Sequence, residues 1–232
     1  PPQLVDPRIR RAMALGIDRK LIVDTLWSGR TRIPHGLQWE YYDKMFLSEW
    51  PQPGFDPAKA KALVKEAGYK GEPIPFRVLN NYYTNQVANA QALVEMWREI
   101  GLNIKLEMKE NWQQIFDRNS PRAVRDWSNT APFNDPVSSL VNQHGPSGQQ
   151  QQVGEWTNAE FNTLSNELET SVDRERRRAV FRRMLEIAEG EDPAFTVLHQ
   201  NVIFYGKRKD IDWKPSGLQY MDFRARNLRF AA

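Results

Sequence analysis

The chain has 232 residues, of which 40% are hydrophobic and 26% charged, with a formal net charge of +3. That length and apolar content suffice for one large globular domain or two small ones, and no apolar run approaches the roughly 20 residues that span a bilayer. Cysteine is absent, which excludes disulfides, thiolate metal sites and a cysteine nucleophile. So mild a positive surplus shows no sign of the concentrated basic stripe of a nucleic-acid binder.

The chain opens at Pro1-Pro2-Gln3 without a charged-then-apolar leader, as expected of an internal fragment or of a protein whose leader has been removed. Asp6-Pro7 is a helix start, since Asp caps free N–H groups and Pro fits the first turn. Ile9, Ala12, Met13, Gly16 and Ile17 then share one helical face. Asp18 is a second cap, for a short helix expected to bury Leu21, Ile22 and Leu26 and to stop at Gly29. Between Arg30 and Pro53 the periodicity disappears among prolines and aromatics, which reads as a long ordered loop. Asp56-Pro57 repeats the start signal for a helix with Ala60, Leu63, Val64 and Ala67 on one stripe, ending at Gly68.

A βαβ unit is predicted next. A strand over Phe76–Asn80 leads to a helix over Thr84–Ile100 with Val87, Ala90, Val94 and Trp97 on its apolar face. Leu102, Ile104, Leu106 and Met108 then alternate with polar residues in a second strand. A unit of this length favours parallel strands joined by a crossover helix. Trp112, Ile115 and Phe116 predict a short helix, and Ala123–Trp127 a further strand. Residues Phe133–Gln152 read as polar and irregular. Asn158 and Asp173 cap two helices that bury Phe161, Leu164 and Leu168, and then Val180, Phe181, Met184 and Ala188. Phe195–Tyr205 reads as strand. In Gly206–Ala232 the residues Trp213, Tyr220, Phe223 and Phe230 show no period, as if made to pack on something outside the chain.

Chemistry is sparse. His35, His144 and His199 are scattered without a second ligand at metal spacing. No nucleophile elbow, phosphate loop or dinucleotide fingerprint occurs, so neither an enzyme nor a cofactor is indicated. The arginines between Arg174 and Arg183 interleave with Asp173, Glu175 and Glu186, and a solvated helix face is a better reading than a nucleic-acid site.

Three segments together resemble the family-5 extracellular solute-binding proteins of ABC importers, the peptide, nickel and opine class. Asp6–Arg19 (DPRIRRAMALGIDR) is similar to that family's Val-Arg-x-Ala-x-x-x-Ala-Ile-Asp-Arg helix. Phe55–Leu63 (FDPAKAKAL) with Ala67-Gly68-Tyr69 resembles its Tyr-Asp-Pro-x-Lys-Ala-x-x-Leu-Leu-x-x-Ala-Gly-Tyr. Ile100–Ile104 (IGLNI) resembles its Ile-Gly-Ile-x-Val step. Asp135-Pro136, Trp156–Phe161 and Arg177–Glu189 follow in family order.

The resemblance implies an α/β fold: a type II periplasmic-binding-protein-like lobe with a mixed sheet flanked by helices. Residues 1–192 would be the second ligand-binding lobe, and residues 193–232 would recross the hinge to complete the first. It further implies a periplasmic protein, with no catalysis and no nucleic acid. Such a protein captures a small polar solute (peptide-like, opine-like or sugar-conjugate) between two lobes and delivers it to an inner-membrane ABC permease. An N-terminal lobe would lie outside this chain. The ligand-binding residues expected on this lobe are Asn80, Asn81 and Tyr82 after the first βαβ strand, and Trp127, Ser128 and Asn129 after the later one. Amides and hydroxyls there supply paired donors and acceptors, and the aromatics supply flat apolar contact. The alternative is a ligand-sensing domain of the same fold in a cytoplasmic transcriptional regulator, or an unrecognised hydrolase. A signal peptide or a helix-turn-helix upstream would separate transport from regulation.

Peptide-binding members of the family carry an Asp between a Trp and an aromatic followed by an Asp/Glu-Pro pair, where it neutralises the peptide α-ammonium. Here Trp127–Pro136 reads WSNTAPFNDP and Pro132 stands in that place. Proline offers no carboxylate, so the expectation is a ligand other than an ordinary oligopeptide: an opine, a sugar conjugate or a modified amino-acid derivative.

Overall fold

Most of the longer helices start where a short polar side chain accepts from a free backbone N–H. In the computed structural model, which describes residues 2–80, 82–117, 119, 123–215 and 221–230, Asp6 accepts from the N–H of Arg8 at 2.8 Å and opens α1 (Pro7–Leu15). Asp18 opens α2 (Arg19–Leu26) and Asp56 opens α3 (Pro57–Glu66) in the same way. Leu21 departs from expectation. It is exposed, because α2 buries Ile22 and Val23 on the opposite side.

β1 (Ile74–Leu79) is followed by α4 (Gln86–Glu99) and β2 (Ile104–Lys109), and the strands pair in parallel from Ile74–Ile104 to Leu79–Lys109. α4 starts two residues later than its periodicity predicts, because Asn85 takes a left-handed conformation (φ 65°) and donates to the carbonyl of Leu26 at 2.6 Å. A short α5 (Trp112–Ile115) leads to β3 (Val124–Arg125), which lies parallel to the other side of β1. The sheet order is β2-β1-β3. β1 is therefore central, which explains its nearly continuous burial. Trp97 of α4 seals the sheet to α1: its ring meets Phe76 edge-on at 5.4 Å and its indole N–H donates to Met13 O at 2.9 Å.

The stretch from Phe133 to Gln152 is more ordered than its polarity suggests. A 3-10 turn (Pro136–Ser138) precedes α6 (Leu140–His144) and α7 (Gln149–Gln152). These pieces are too short to display a period, yet Leu140 and Val141 are buried. They join a second core with Phe161 and Leu168 of α8 (Ala159–Thr170) and Val180, Phe181 and Met184 of α9 (Arg174–Leu185). A π-helical turn, Glu186–Glu191, extends α9. The loop from Arg30 to Pro53 contributes Leu37, Tyr42, Met45 and Leu47 to this core. The arginines of α9 are matched rather than merely solvated: Arg176 pairs with Glu167, Arg178 and Arg182 with Glu49, and Arg183 with Glu160, Glu186 and Glu191.

By its internal contacts the chain divides into a unit of residues 1–201 and a unit of residues 202–232. Residues 195–205, expected as a strand, form no ladder with the described residues. In the part of this segment that belongs to the larger unit, polar groups of the backbone and of Thr196 are met by other partners. Arg19 donates to Val197 O and to Thr196 Oγ1, each at 2.6 Å, and Gln200 N–H donates to Arg32 O at 2.9 Å. In the smaller unit β4 (Ile211–Trp213) and β5 (Leu228–Phe230) pair antiparallel. Trp213 is buried, with Tyr205 edge-on at 5.1 Å, while Phe223 and Phe230 stay exposed; Tyr220 lies outside the described residues. Among the described residues no helix is long and apolar enough to cross a membrane.

Candidate functional site

Parallel strands deliver their C-terminal ends to one edge of the sheet, where open α/β folds characteristically hold ligands. β1 ends at Leu79, β2 at Lys109 and β3 at Arg125, and the segments leaving them meet through aromatic rings. Tyr82 stands edge-on to Trp112 at 4.7 Å, and Trp112 meets Trp127 edge-on at 5.0 Å. Phe116 closes the set, 5.9 Å from Trp112 and 6.0 Å from Trp127. The Tyr82 hydroxyl lies 2.5 Å from Ser128 Oγ and ties the segment after β1 to the one after β3. All four rings are half-buried, so the cluster presents a wall of aromatic surface and is not sealed as core.

Two charged residues hold this wall from behind. The Arg125 guanidinium stacks over Trp127 at 4.7 Å and Phe116 at 5.0 Å. Its Nε and Nη2 donate to Glu155 at 2.7 and 2.9 Å, and Nη2 also reaches Gln150. Asp126 is buried and accepts from the Tyr83 hydroxyl at 2.5 Å, while Asn89 Nδ2 donates to that hydroxyl at 2.9 Å. Burial pushes the Asp126 carboxyl above its ordinary range, against the opposing pull of the Tyr83 hydrogen bond. Burial, reinforced by the neighbouring carboxylate, likewise raises the Tyr83 phenol, which stays protonated as the donor. Gln86 Oε1 accepts from the Tyr82 N–H at 3.0 Å and fixes the turn that carries both tyrosines.

Of the residues expected in the site, Tyr82, Trp127 and Ser128 are brought together. Asn129 follows them, half-buried, with an Oδ1 that finds no hydrogen-bond partner among the described residues. Asn80 is exposed at the bend after β1, and Asn81 lies outside the described residues. Sequence reasoning passed over Trp112 and Phe116, which sit one helical turn apart and so share a face of α5; they read as ordinary core. It also passed over Tyr83, whose side chain anchors Asp126 while Tyr82 takes Ser128.

The histidines remain apart. His35 contacts the Trp50 carbonyl, and His199 packs beside Trp27 and Tyr83. His144 is buried against Phe195 and held neutral, its pKa pulled down to about 3 by burial with a further contribution from the charge of Arg125. No group of metal-ligating side chains occurs among the described residues.

Comparison with known proteins places this architecture. Residues 1–151 match the model of the bacterial extracellular solute-binding proteins, family 5 middle region. The chain is 29% identical over 209 residues to the probable deoxycholate-binding periplasmic protein YgiS of Escherichia coli K12, covering 87% of this chain and 38% of that protein. It is 30% identical over 149 residues to the periplasmic oligopeptide-binding protein OppA of the same organism, covering 60% and 27%. Among solved structures, HbpA2 from Haemophilus parasuis superposes with a TM-score of 0.77 at 21% identity, over 100% of this chain and 46% of that one. The dipeptide-binding protein of Pseudoalteromonas sp. SM9913 in complex with Met-Leu gives 0.77 at 20% identity, over 97% and 45%. At those identities the likeness to solved structures is one of fold. The chain spans less than half the length of these relatives. It belongs to the bacterial extracellular solute-binding proteins of family 5.

Proposed function

We propose that this chain is one ligand-binding lobe of the solute-binding component of an ABC importer, and that it works in the periplasm without catalysis. A small polar solute is held against the wall of Tyr82, Trp112 and Trp127, with Ser128 and Asn129 offering hydrogen bonds. Asn80, at the bend after β1, belongs to the same rim; Asn81, which lies outside the described residues, is proposed as a ligand residue from its place in the sequence alone. The observation that carries this reading is the meeting of the segments after β1 and β3 through Tyr82, Ser128 and Trp127 at the C-terminal edge of a parallel sheet. An N-terminal lobe outside this chain supplies the opposite wall, and closure of the lobes about a hinge buries the solute. Burial then confers specificity, because every polar group taken from water must find a partner. The closed form is what an inner-membrane permease receives. The relatives described as periplasmic and as binding oligopeptides or, in one case, deoxycholate support a binding role for this chain.

The test uses the full-length protein. Compounds released from it by denaturation after purification are identified by mass spectrometry and titrated back, with small-angle scattering as the readout of closure. A released solute that binds and compacts the protein is the expected result. Failure of every compound in periplasmic extracts to bind or to compact it would defeat the reading.

A further inference from the structure

The polar run Gly148–Gln152 (GQQQQ) forms no part of the aromatic wall, yet it ends beside the wall's support. Its helix, α7, closes with Gly154 in a left-handed turn (φ 73°). The Gly154 N–H donates to Gln151 O at 2.9 Å and the Glu155 N–H to Gln150 O at 3.0 Å. That closure brings Glu155 back beside Gln150, and both side chains meet the same guanidinium. Successive side chains at the end of β3 face opposite ways, so Asp126 turns to Tyr83 and Arg125 to α7. We infer that Gln150 and Glu155 are positioning residues: acting through Arg125, they set the tilt of Trp127 and Phe116 and so the shape of the wall offered to a solute. This rests on the solute-capture reading above.

Among the described residues, every hydrogen bond of the Arg125 guanidinium comes from this segment. Glu155 holds Nε and Nη2, Gln150 also holds Nη2, and the buried Nη1 has no partner. The Arg125 side chain is only 10% exposed, so little water can take over from a lost partner. Its other contacts are the rings of Trp127 at 4.7 Å and Phe116 at 5.0 Å, which stand at 68° to each other. If the guanidinium turns, those rings must follow it or lose it. The grip itself is fixed. Gln150 is buried and its Nε2 donates to Gln143 Oε1 of α6 at 2.9 Å. Gln151 exchanges two amide hydrogen bonds with Asn162 of α8, at 2.9 and 3.1 Å. The wall is thereby tied through Arg125 to α6 and α8.

The test uses the full-length protein labelled with 5-fluorotryptophan and read by fluorine NMR without solute, the Trp127 resonance being assigned by Trp127→Phe. Glu155→Ala is expected to displace or broaden that resonance, and Gln150→Ala to displace it less. The resonances of Trp50 and Trp97, which pack in other parts of the lobe, should stay in place. Arg125→Met should displace Trp127 as well. Because the effect runs through the guanidinium, adding Glu155→Ala to Arg125→Met should move Trp127 no further. Glu155→Gln keeps the shape and one acceptor, so it should fall between wild type and Glu155→Ala, and it serves if the alanine variant does not fold. An unmoved Trp127 in both Glu155 variants overturns the inference, even if their denaturation midpoints fall, since a role in stability alone gives that pattern. A displacement in the double variant equal to the sum of the singles overturns it too. These spectra need no solute, so solute capture is judged separately, by whether any released compound compacts the protein.

Discussion

Arg177 of α9 grips Asp135 with both terminal guanidinium nitrogens, at 2.7 and 2.9 Å, while its Nε donates to Leu168 O at 3.0 Å. The pair lies mostly out of solvent and joins the end of the ligand-edge segment to both long C-terminal helices. Removing one partner of such a fork leaves the other poorly paired. Arg177→Ala is expected to destabilise the fold by about 2–3 kcal/mol. Arg177→Lys keeps the charge but not the planar fork, and falls between. Urea denaturation at pH 7 measures both; equal stability of Arg177→Ala and wild type would show that the fork contributes nothing.

Much of the architecture was legible because its signals are local. Asp6, Asp18, Asp56, Asn158 and Asp173 all cap helices where a capping residue precedes an apolar stripe. The parallel βαβ unit follows from a change of period between Leu79 and Ile104. The pieces that escaped are those without a local period. α6 and α7 are too short to show one, and residues 195–205 look like a strand because they are rich in apolar and aromatic side chains, though no strand pairs with them among the described residues. The site was half legible for a related reason. Tyr82 and Trp127 advertise themselves as aromatic residues after strands, whereas the pairing of Asp126 with Tyr83 joins residues far apart in the chain and leaves no mark in either neighbourhood.

That pairing sets a second expectation. Tyr83→Phe removes the donor from a buried carboxyl and leaves Asn89 Nδ2 without its acceptor, at a cost of about 1–3 kcal/mol at pH 7. Because the folded pKa of Asp126 is raised, its carboxyl favours the folded state most when protonated, and that advantage is lost as pH rises through the folded value. The penalty in Tyr83→Phe should therefore shrink as pH is lowered from 7 toward 5. Adding Asp126→Asn to Tyr83→Phe should recover part of the loss. A double-mutant cycle by chemical denaturation reads the coupling, and strict additivity would show the two groups to be independent.

Glu189 should govern how stability responds to pH. It sits in the π-helical turn after α9, where Oε1 accepts from the Leu37 N–H at 2.6 Å and Oε2 from the Trp50 indole at 3.2 Å. Burial lifts its carboxyl to about 7, although both hydrogen bonds and the charge of Arg19 oppose the rise. A raised folded pKa means that the folded state keeps its proton where the unfolded chain has lost it. The contribution is complete below the unfolded value of 4.5 and fades as pH climbs toward about 7. The span corresponds to about 3 kcal/mol at most. Glu189→Gln cannot titrate, so its stability curve should be flatter than wild type between pH 4.5 and 7. Denaturation midpoints across that range decide it, and parallel curves for the two proteins would refute the assignment.

If two lobes share the solute, this chain alone should bind poorly. A full-length affinity of about 1 µM corresponds to roughly −8 kcal/mol, and half of that leaves about 1 mM. Halving is a coarse division because contact energies do not add, but the direction is firm. Titrating residues 1–232 with a compound that the full-length protein binds should give at least about a hundredfold weaker binding. Micromolar binding by the lobe would defeat the shared cleft.

Gly36 and Gly29 offer a controlled comparison of backbone strain with crowding. Both hold φ near 70°, a region that alanine enters at a cost of about 1 kcal/mol. A Cβ at Gly29 meets nothing within 4 Å, so Gly29→Ala should lose only that amount. A Cβ at Gly36 would lie 2.8 Å from two atoms of the Trp50 ring and 2.9 Å from Glu189 Oε1. Those are the groups that fasten the loop to the π-helical turn, since Glu189 also receives the Leu37 N–H and the Trp50 indole. Gly36→Ala must therefore displace the ring or break the carboxylate's hydrogen bonds, with a further loss of about 1–3 kcal/mol. It should also disturb the pH response, because a displaced Glu189 would be hydrated and titrate nearer its ordinary value, bringing the variant's curve closer to that of Glu189→Gln. Thermal denaturation of the two alanine variants at pH 5 and pH 8 tests both parts. If Gly36→Ala is no less stable than Gly29→Ala, the loop yields freely and the fastening role of Glu189 is wrong.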